Sequence, residues 1–492
     1  MNTSDRSTAL SQRQQLLILS LLLVVIWAVW TLRLSEPYYG VRDNLEIWIP
    51  SAVRNLAWYG PAELGYLVTT TAHRVDELEA LRVYTHHPPL VAWLPYLWTR
   101  LAGFNELAVR SVFAAFMLLA AVGFYVTARR LYGARLALWA LAIFAFTPMI
   151  AYYGTGHNHD PLGFGASMLF AAVFVNWLRR PGRARYAALS ALAVLAAWTA
   201  WPAVFMVAAF GVWGLFAGDA RQRVGIFLLG AVTALAAAGV LIFYEAQHPG
   251  AVNSLMDAFL WRTSSASLRR GSEAFTIIGW VATNLSHIVV FGTIGVLLLA
   301  VIGAKPFWRK ASPQGRGALL ALAGGAITYW LVFRNAAYIH DYYKTWAMPA
   351  LALLAAAAVW TSLPVRPRSR RQRRLRAVVV SLGAIAIVQA VAVMALFMFA
   401  FHQPALDRTI AYVNANIPAD APLLISNADW TTKWGFDRVI AFYTGRPIFL
   451  NESVEALEAR GLRDFTHIDC TSSADPAAIR ETVAFNCVLV DR

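Results

Sequence analysis

Long apolar stretches alternate with short polar ones along most of the chain. The first runs from Leu16 to Leu34 almost without interruption and is long enough to cross about 30 Å of hydrocarbon as a helix. It is longer than the apolar region of a signal peptide, and no Ala-x-Ala cleavage site follows it, so we expect it to be retained. Similar stretches follow at residues 106–128, 136–153, 161–178, 186–200, 203–217, 224–243, 276–303, 317–333, 347–363 and 377–401. The pattern predicts about eleven transmembrane helices.

Two of these predictions have alternatives or exceptions. The helices on either side of Trp201-Pro202 are the least regular pair, and one kinked segment is an alternative to two helices. The apolar piece from Pro89 to Leu101 is too short to span a bilayer, so we expect it to lie in the membrane interface.

Composition supports an integral membrane protein. Of 492 residues, 59% are hydrophobic and 14% are charged, against about 25% charged in soluble domains. The net charge of +15 also suggests a nucleic-acid partner. The basic residues, however, stand in short runs between apolar stretches, and the largest run, at 366–376, is typical of a segment facing anionic lipid. We therefore expect membrane lipids as partners and no nucleic acid.

The basic linkers predict the orientation. They follow the second, fourth, sixth, eighth and tenth stretches, at 129–135, 179–185, 221–223, 305–310 and 366–376. The positive-inside rule places all five in the cytoplasm. The polar segments 35–105, 154–160, 244–275 and 334–346, and the tail from about 402, then share the exoplasmic face.

The tail differs from the rest of the chain. Helical spacing is predicted from Asp407 to Asn416 and from Val454 to Arg460, and strands from Pro422 to Ser426 and from Cys487 to Asp491. We expect an all-α polytopic membrane domain over residues 1–401, with the site in the first external loop, and a small exoplasmic α/β domain over 402–492. Cys470 and Cys487 form either a disulfide or two buried thiols, and both alternatives stay open.

The side chains capable of chemistry gather in the loops of the exoplasmic face. They are Asp43, Glu46, His86, His87, His157, His159, Asp160, Arg262, Arg269, Arg270, His340, Tyr342, Tyr343 and Lys344. Carboxylates at a membrane boundary are candidates for function because their burial costs free energy. The structural alternative for Asp43 is a cap on a helix starting at Asn44, and for Asp160 a cap on the helix that begins with Pro161.

Two ligand types are consistent with these loops. Arg262, Arg269, Arg270 and Lys344 suit a phosphate, although lipid headgroups alone would also attract them. His157, His159 and Asp160 could together hold a divalent metal with Glu46 or a histidine of the first loop, or they are hydrogen-bonded surface residues.

Several short motifs, in a fixed order around the helices, carry a resemblance. They are Arg42-Asp43-Asn44, His87-Pro88-Pro89-Leu90, the segment from Asn105 to Arg110, His159-Asp160, and Asp341-Tyr342-Tyr343-Lys344 followed by Pro349. Over about residues 15–400 the chain resembles the polyprenol-dependent glycosyltransferases of the GT-C fold. More narrowly, it is similar to glycosyltransferase family 39, the protein mannosyltransferase and aminoarabinose transferase group. The family often has Asp-Glu where this chain has Asp43-Asn44, and it often has Lys-Pro-Pro where this chain has the titratable His87 followed by two prolines.

The resemblance implies an inverting sugar transferase of the bacterial inner membrane. Its donor would be a polyprenyl-phosphate sugar and its acceptor lipid A, another glycan or a protein. Asp43 and Asp160 would be catalytic, with Asp43 as the general base, and no cofactor or metal is expected. The residues implied in substrate binding are Arg42, Glu46, Tyr84, His86, His87, His159, Arg262, Arg269, Arg270, His340, Tyr342, Tyr343 and Lys344.

Two other functions stay open. A transporter or flippase of lipid-linked sugars would have as many spans, but such proteins usually carry ionisable groups at the bilayer midplane and repeated halves. The sequence has neither feature in clear form. A protein that binds lipid-linked sugar without transferring it is the second alternative.

Overall fold

A computed structural model of the chain describes residues 11–38, 46–156, 158–264, 276–363, 369–400, 404–419, 421–426, 436–450, 452–462, 465–469, 479–484 and 487–490. Arg42, Asp43, His157, Arg269, Arg270 and Cys470 lie outside these ranges. The predictions for them therefore stay predictions, and the alternatives of a capping role for Asp43 and of a disulfide at Cys470 stay open.

Helices dominate the described residues. In chain order they are α1 (Gln12–Thr31), α2 (Trp48–Tyr59), α3 (Leu90–Ala102), α4 (Glu106–Tyr132), α5 (Ala134–Phe146), α6 (Pro148–Ala151), α7 (Asp160–Arg179), α8 (Arg183–Thr199), α9 (Trp201–Ala217), α10 (Ala220–Gln247), α11 (Ala251–Thr263), α12 (Ile277–Phe291), α13 (Ile294–Lys310), α14 (Pro313–Val332), α15 (Arg334–Ile339), α16 (Met348–Ser362), α17 (Arg370–Ala395), α18 (Pro404–Asn416), α19 (Phe436–Thr444) and α20 (Val454–Ala459).

The membrane spans agree with the hydrophobic pattern in position but not in number. Within the described ranges, seven helices are long and apolar enough to cross a bilayer, or nine if the pairs α5–α6 and α12–α13, bent by 63° and 104°, each count as one span. The prediction of about eleven is too high by this criterion. The difference is α8 and α9, which have 17 residues each and reach only about 25 Å.

The chain folds into two compact units. The membrane unit comprises Met1–Leu34, Thr85–Val91 and Arg110–Met394, and the loop-and-tail unit comprises Ser35–Tyr84, Ala92–Val109 and Ala395–Arg492. Most of the first external loop thus belongs to the same compact unit as the C-terminal tail. The division predicted from the sequence assigned this loop to the membrane domain.

Helix α7 packs very closely against α4 in the membrane unit. A Cβ atom on Gly165 would lie 2.5 Å from the carbonyl oxygen of Phe116, and one on Gly123 would lie 2.6 Å from the backbone of Met168. Glycine at such contacts lets two backbones approach within a membrane. This packing buries most of α7 and holds its first residue, Asp160, in place.

The tail contains a mixed sheet of five strands among its described residues. The strands are β1 (Leu423–Ser426), β2 (Ile448–Leu450), β3 (Thr466–Asp469), β4 (Ile479–Ala484) and β5 (Cys487–Val490), in the order β2-β1-β3-β5-β4. β1 runs parallel to β2 and β3, while β5 runs antiparallel to β3 and β4. The predicted strands at β1 and β5 and the predicted helices at α18 and α20 are confirmed. The sequence did not predict β2, β3, β4 or α19.

A buried arginine joins the first loop to the tail. The guanidinium of Arg54 on α2 lies 4.3 Å from the ring centroid of Trp58 and 3.9 Å from that of Phe442. It donates hydrogen bonds to the carbonyl oxygens of Ala72, at 2.5 Å, and of Phe442. Burial lowers the pKa of this guanidinium to about 9, so it stays charged at neutral pH. The loop and the tail therefore share one core.

Candidate functional site

The segment His86-His87 is held from two helices. Both histidines lie outside any helix, and for His87 the reason is that a residue before proline stays extended. The carbonyl oxygen of His86 accepts a hydrogen bond from Trp201 Nε1 at 3.0 Å, and that of His87 accepts one from the Tyr244 hydroxyl at 2.6 Å. The start of α9 and the end of α10 thus fix the backbone of this segment.

Two imidazoles stack at the centre of the site. The ring centroids of His87 and His159 lie 3.9 Å apart, with their planes inclined by 27°. Both side chains are buried, and neither ring nitrogen of His159 has a hydrogen-bond partner among the described residues. A buried imidazole with open hydrogen-bonding positions is suited to binding a polar ligand.

Both imidazoles are neutral at pH 7. Burial lowers the pKa of His87 well below its ordinary value, and the nearby His159, Arg262, His86 and His340 lower it further. Burial, with a smaller contribution from Arg262, lowers the pKa of His159 to about 3. Neutral rings can stack without repulsion, and each offers one hydrogen-bond donor and one acceptor.

Asp160 lies beside this stack. It is the first residue of α7, and His159 occupies the N-cap, so the prediction that Asp160 caps this helix is wrong by one position. Its carboxylate accepts a hydrogen bond from Trp346 Nε1 at 3.1 Å. Nε2 of His159 is 3.6 Å from the same carboxylate oxygen, but a neutral imidazole forms no ion pair. A carboxylate in the first turn is also favoured by the helix dipole.

The segment after α15, Asp341–Ala347, places aromatic side chains next to the two stacked histidines. The Tyr153 hydroxyl and the backbone N–H of Tyr342 both donate to the carboxylate of Asp341, each at 2.9 Å. The Tyr342 ring lies 5.1 Å from His340 and 5.8 Å from His159, measured between ring centroids. His340 and Tyr342 therefore lie close to the stacked pair His87 and His159. The sequence predicted that the loops carrying these residues share one face of the membrane.

Lys344 points its ammonium into the protein. The side chain is fully buried and Nζ donates to the carbonyl oxygens of Ala337, at 2.5 Å, and His340, at 3.3 Å. These carbonyls stand at the end of α15, where a cation is favoured. Nζ also lies 5.4 Å from the ring centroid of Trp330. The contact of Lys344 with a donor phosphate stays a prediction. The contacts described for Nζ are with Ala337, His340 and Trp330.

Arg262, one of the residues predicted to bind phosphate, acts electrostatically on two of the histidines. It stands in the last turn of α11, which is tied to α15 by a hydrogen bond of 2.8 Å from Asn335 Nδ2 to the carbonyl oxygen of Trp261. Its positive charge depresses the pKa of both His87 and His159. We call His86, His87, His159, His340 and Arg262 the histidine cluster.

Glu46 and Tyr84 both contact Trp48 in the loop-and-tail unit. Trp48 Nε1 donates to the Glu46 carboxylate at 2.7 Å, and the ring centroids of Trp48 and Tyr84 lie 4.5 Å apart. Helix α2 begins at Trp48 with Ile47 as N-cap. Trp48, Trp201, Tyr244 and Trp346 were not predicted as site residues, because an aromatic residue in an apolar stretch carries no local sign of its partner.

No group of three His, Cys, Asp or Glu residues in the described ranges is placed to hold a metal ion. His157, one of the three residues in the alternative metal site, lies outside those ranges. The expectation that no metal is required therefore stays a prediction.

Comparison with known proteins decides the fold. The crystal structure of ArnT from Cupriavidus metallidurans bound to undecaprenyl phosphate superposes with a TM-score of 0.65 at 16% identity, covering 96% of this chain and 97% of that chain. The chain has the GT-C fold. The archaeal oligosaccharyltransferase AglB from Archaeoglobus fulgidus, in complex with an inhibitory peptide and a dolichol-phosphate, also matches, with a TM-score of 0.54 at 14% identity over 93% of this chain and 70% of that chain.

The sequence comparisons agree with the GT-C fold. A family model described as dolichyl-phosphate-mannose-protein mannosyltransferase matches residues 86–244. The matched region begins at His86, contains His87, His159 and Asp160, and ends at Tyr244, which binds the His87 carbonyl. A search of curated protein sequences gives no match. The predicted resemblance to GT-C glycosyltransferases and the predicted fold class are confirmed.

Proposed function

We propose that this protein is an inverting membrane glycosyltransferase. It takes a sugar from a polyprenyl-phosphate donor and passes it to lipid A, another glycan or a protein on the exoplasmic face. The observation that carries the proposal is the stacked, buried pair His87 and His159 with the charge of Arg262 nearby, in a chain with the GT-C fold. The ArnT structure with undecaprenyl phosphate and the AglB structure with dolichol-phosphate support a lipid-phosphate donor.

In this mechanism Asp43 is the general base. It removes the proton of the acceptor hydroxyl or amine as that group attacks the anomeric carbon, which inverts the configuration. The bond to the lipid phosphate breaks at the same time, and negative charge grows on the departing phosphate. Fixed cations that meet this charge lower the barrier because they bind the transition state more strongly than the ground state.

Arg262 supplies such a cation, together with Arg269 and Arg270, which follow it in the same external loop. A guanidinium suits the role because it offers phosphate two parallel hydrogen bonds. His87 takes the position where the family has a lysine. A neutral imidazole there donates one hydrogen bond to the phosphate, and a bound anion favours its protonated form. Asp160, the second catalytic candidate, lies beside His159 and is held by the hydrogen bond from Trp346.

Transfer measured with purified protein tests the proposal. The protein in detergent is given a defined polyprenyl-phosphate sugar and candidate acceptors, and the product is followed by mass spectrometry. Asp43→Asn is expected to reduce turnover by about two to four orders of magnitude, the usual contribution of a positioned base. Asp76→Asn, which changes an exposed acid of the same loop, is the matched control. Near-normal turnover in Asp43→Asn contradicts the assigned role.

Two further measurements separate the alternatives. Transfer is expected to persist in EDTA, whereas loss with EDTA and recovery with a divalent ion would implicate His157, His159 and Asp160 as ligands. Mass spectrometry of lipids and glycans from cells with and without the gene identifies the acceptor. Movement of a lipid-linked sugar across vesicles containing the protein, without any transfer to an acceptor, would favour the flippase.

A further inference from the structure

A groove of about 850 Å³ lies among α9, α13 and α14, at the end of α9 remote from the histidine cluster. Trp201 at the start of α9 binds the His86 carbonyl, whereas Trp213 and Phe216 in the last turns of the same helix line the groove. The basic linkers 221–223 and 305–310 follow at this end. The groove is therefore separate from the proposed site of sugar transfer.

The walls of the groove are apolar and open. Phe216 and Leu320 are 84% and 57% exposed in the protein alone. A Cβ atom on Gly317 would lie 2.0 Å from Trp213 Nε1, so glycine at this position lets the indole pack flat against α14. A Cβ atom on Gly324 would meet nothing within 4 Å, which leaves space beside the helix. This shape suits a flexible hydrocarbon chain.

A cation stands at the mouth of the groove. The Arg316 guanidinium, in the first turns of α14, lies 5.5 Å from the ring centroid of Trp308. Its Nε is buried and has no hydrogen-bond partner among the described residues. The side chain as a whole is partly exposed and lines the groove, so an anion in the groove can accept hydrogen bonds from the guanidinium. The N-terminal end of the 20-residue helix α14 adds positive potential.

We propose that this groove binds an anionic glycerophospholipid, with an acyl chain along Trp213 and Gly324 and the headgroup phosphate on Arg316. A guanidinium matches phosphate oxygens in pairs, and basic pockets between transmembrane helices bind anionic headgroups. An isoprenoid phosphate has related chemistry. We assign a glycerophospholipid because the proposed function uses the isoprenoid donor at the opposite ends of the helices.

Native mass spectrometry of the full-length protein in detergent tests this site. The protein is titrated with dioleoyl phosphatidylglycerol, dioleoyl phosphatidylcholine and undecaprenyl phosphate in separate arms. Phosphatidylglycerol is expected to bind at one site more tightly than the other two lipids. Arg316→Gln is expected to weaken this binding about tenfold, and Arg316→Lys to recover part of it, because an ammonium lacks the guanidinium fork.

A second variant tests the apolar part of the groove. Gly324→Leu fills the space beside α14 and is expected to weaken phosphatidylglycerol binding without removing the cation. The matched controls are Arg309→Gln, an exposed arginine that does not line the groove, and Gly230→Leu, a helical glycine on α10 with equally open space. Both controls are expected to bind as the wild type does.

Three results overturn the proposal: unchanged binding in both groove variants, equal binding of phosphatidylcholine, or tighter binding of undecaprenyl phosphate. Thermal unfolding and gel filtration show whether each variant is folded. If Arg316→Gln does not fold, Gly324→Leu decides the outcome. Sugar transfer is expected to be unchanged in the groove variants, so failure of this site and failure of the proposed function are distinguishable.

Discussion

The imidazole rings of His87 and His159 lie stacked, 3.9 Å apart, although the two residues belong to different loops of the chain. The glycosyltransferases that this chain resembles often have a lysine at the position of His87. A lysine at this position would carry a positive charge, whereas the buried imidazole of His87 is neutral. His159 is the neighbour that such a neutral ring can stack on without repulsion.

The buried histidines predict that stability falls in acid. Their pKa values are lower in the folded protein than the unfolded value of about 6.5. As the pH falls below about 6.5, these histidines become protonated in the unfolded chain but stay neutral in the folded protein. The free energy of unfolding therefore falls by up to ~1.4 kcal/mol per pH unit for each histidine. For His159 the loss continues until the pH reaches its folded pKa of about 3.

Unfolding temperatures in detergent between pH 7.5 and pH 5 check this prediction. His159→Asn is expected to flatten the dependence on pH, since asparagine does not titrate. His248→Asn, which changes an exposed histidine at the end of α10, is expected to leave the slope as it is. Identical slopes in the wild type and His159→Asn would show that burial of His159 does not set the acid sensitivity.

Arg262→Ala is expected to weaken donor binding and slow transfer. A hydrogen bond to a charged group is worth about 1.5–3 kcal/mol, which corresponds to a loss of roughly tenfold to a hundredfold. Arg262→Lys should recover only part of this loss. Removing the charge also raises the pKa of His159, so the change in stability with pH should shift. Arg223→Ala, in a basic linker, is the control. Equal KM and kcat for Arg262→Ala and the wild type would remove Arg262 from the site.

Lys344→Met is expected to destabilise the protein. The change leaves the carbonyl groups of Ala337 and His340 without this donor, at a cost of about 1–3 kcal/mol for each group that finds no replacement. The measurement is the unfolding temperature, with donor affinity determined in the same preparation. Lys344→Met with wild-type stability but weakened donor binding would instead support the direct phosphate contact that the sequence predicts.

Tyr443→Phe is expected to loosen the loop-and-tail unit by about 1–3 kcal/mol. The hydroxyl donates to the Glu106 carboxylate at 2.7 Å and accepts from the backbone N–H of Tyr38 at 2.9 Å. Burial raises the pKa of this phenol, so it remains a donor at all ordinary pH values. Limited proteolysis of the tail reports the loosening. Tyr66→Phe, at an exposed tyrosine, is the control, and equal protection of the two variants would contradict the prediction.

Much of the fold was predictable because it depends on local pattern. A run of apolar residues about as long as a bilayer is thick forms a helix wherever it stands in the chain, and all the predicted spans are helical. The same holds for α18, α20, β1 and β5. The strand β3, Thr466–Asp469, was missed because three of its four residues are polar and its pairing with β1 and β5 is not visible locally.

For the candidate site, the sequence indicated a shared face but not the contacts made there. The positive-inside rule predicts that His87, His159, Arg262 and His340 share one face of the membrane. The rings of His87 and His159 do stack on each other. The partners of these residues are far away in sequence: Trp201 lies 115 residues from His86, and Trp346 lies 186 residues from Asp160.

Contacts of that kind follow from how the helices pack, which no local pattern records. Packing turned the Lys344 ammonium towards the end of α15 and brought Glu106 to Tyr443 of the tail. It also grouped the first external loop with the tail through Arg54, whose side chain is buried against Phe442. Hydrophobicity thus determines which segments enter the membrane, while the close approach of helices and loops determines which polar groups meet.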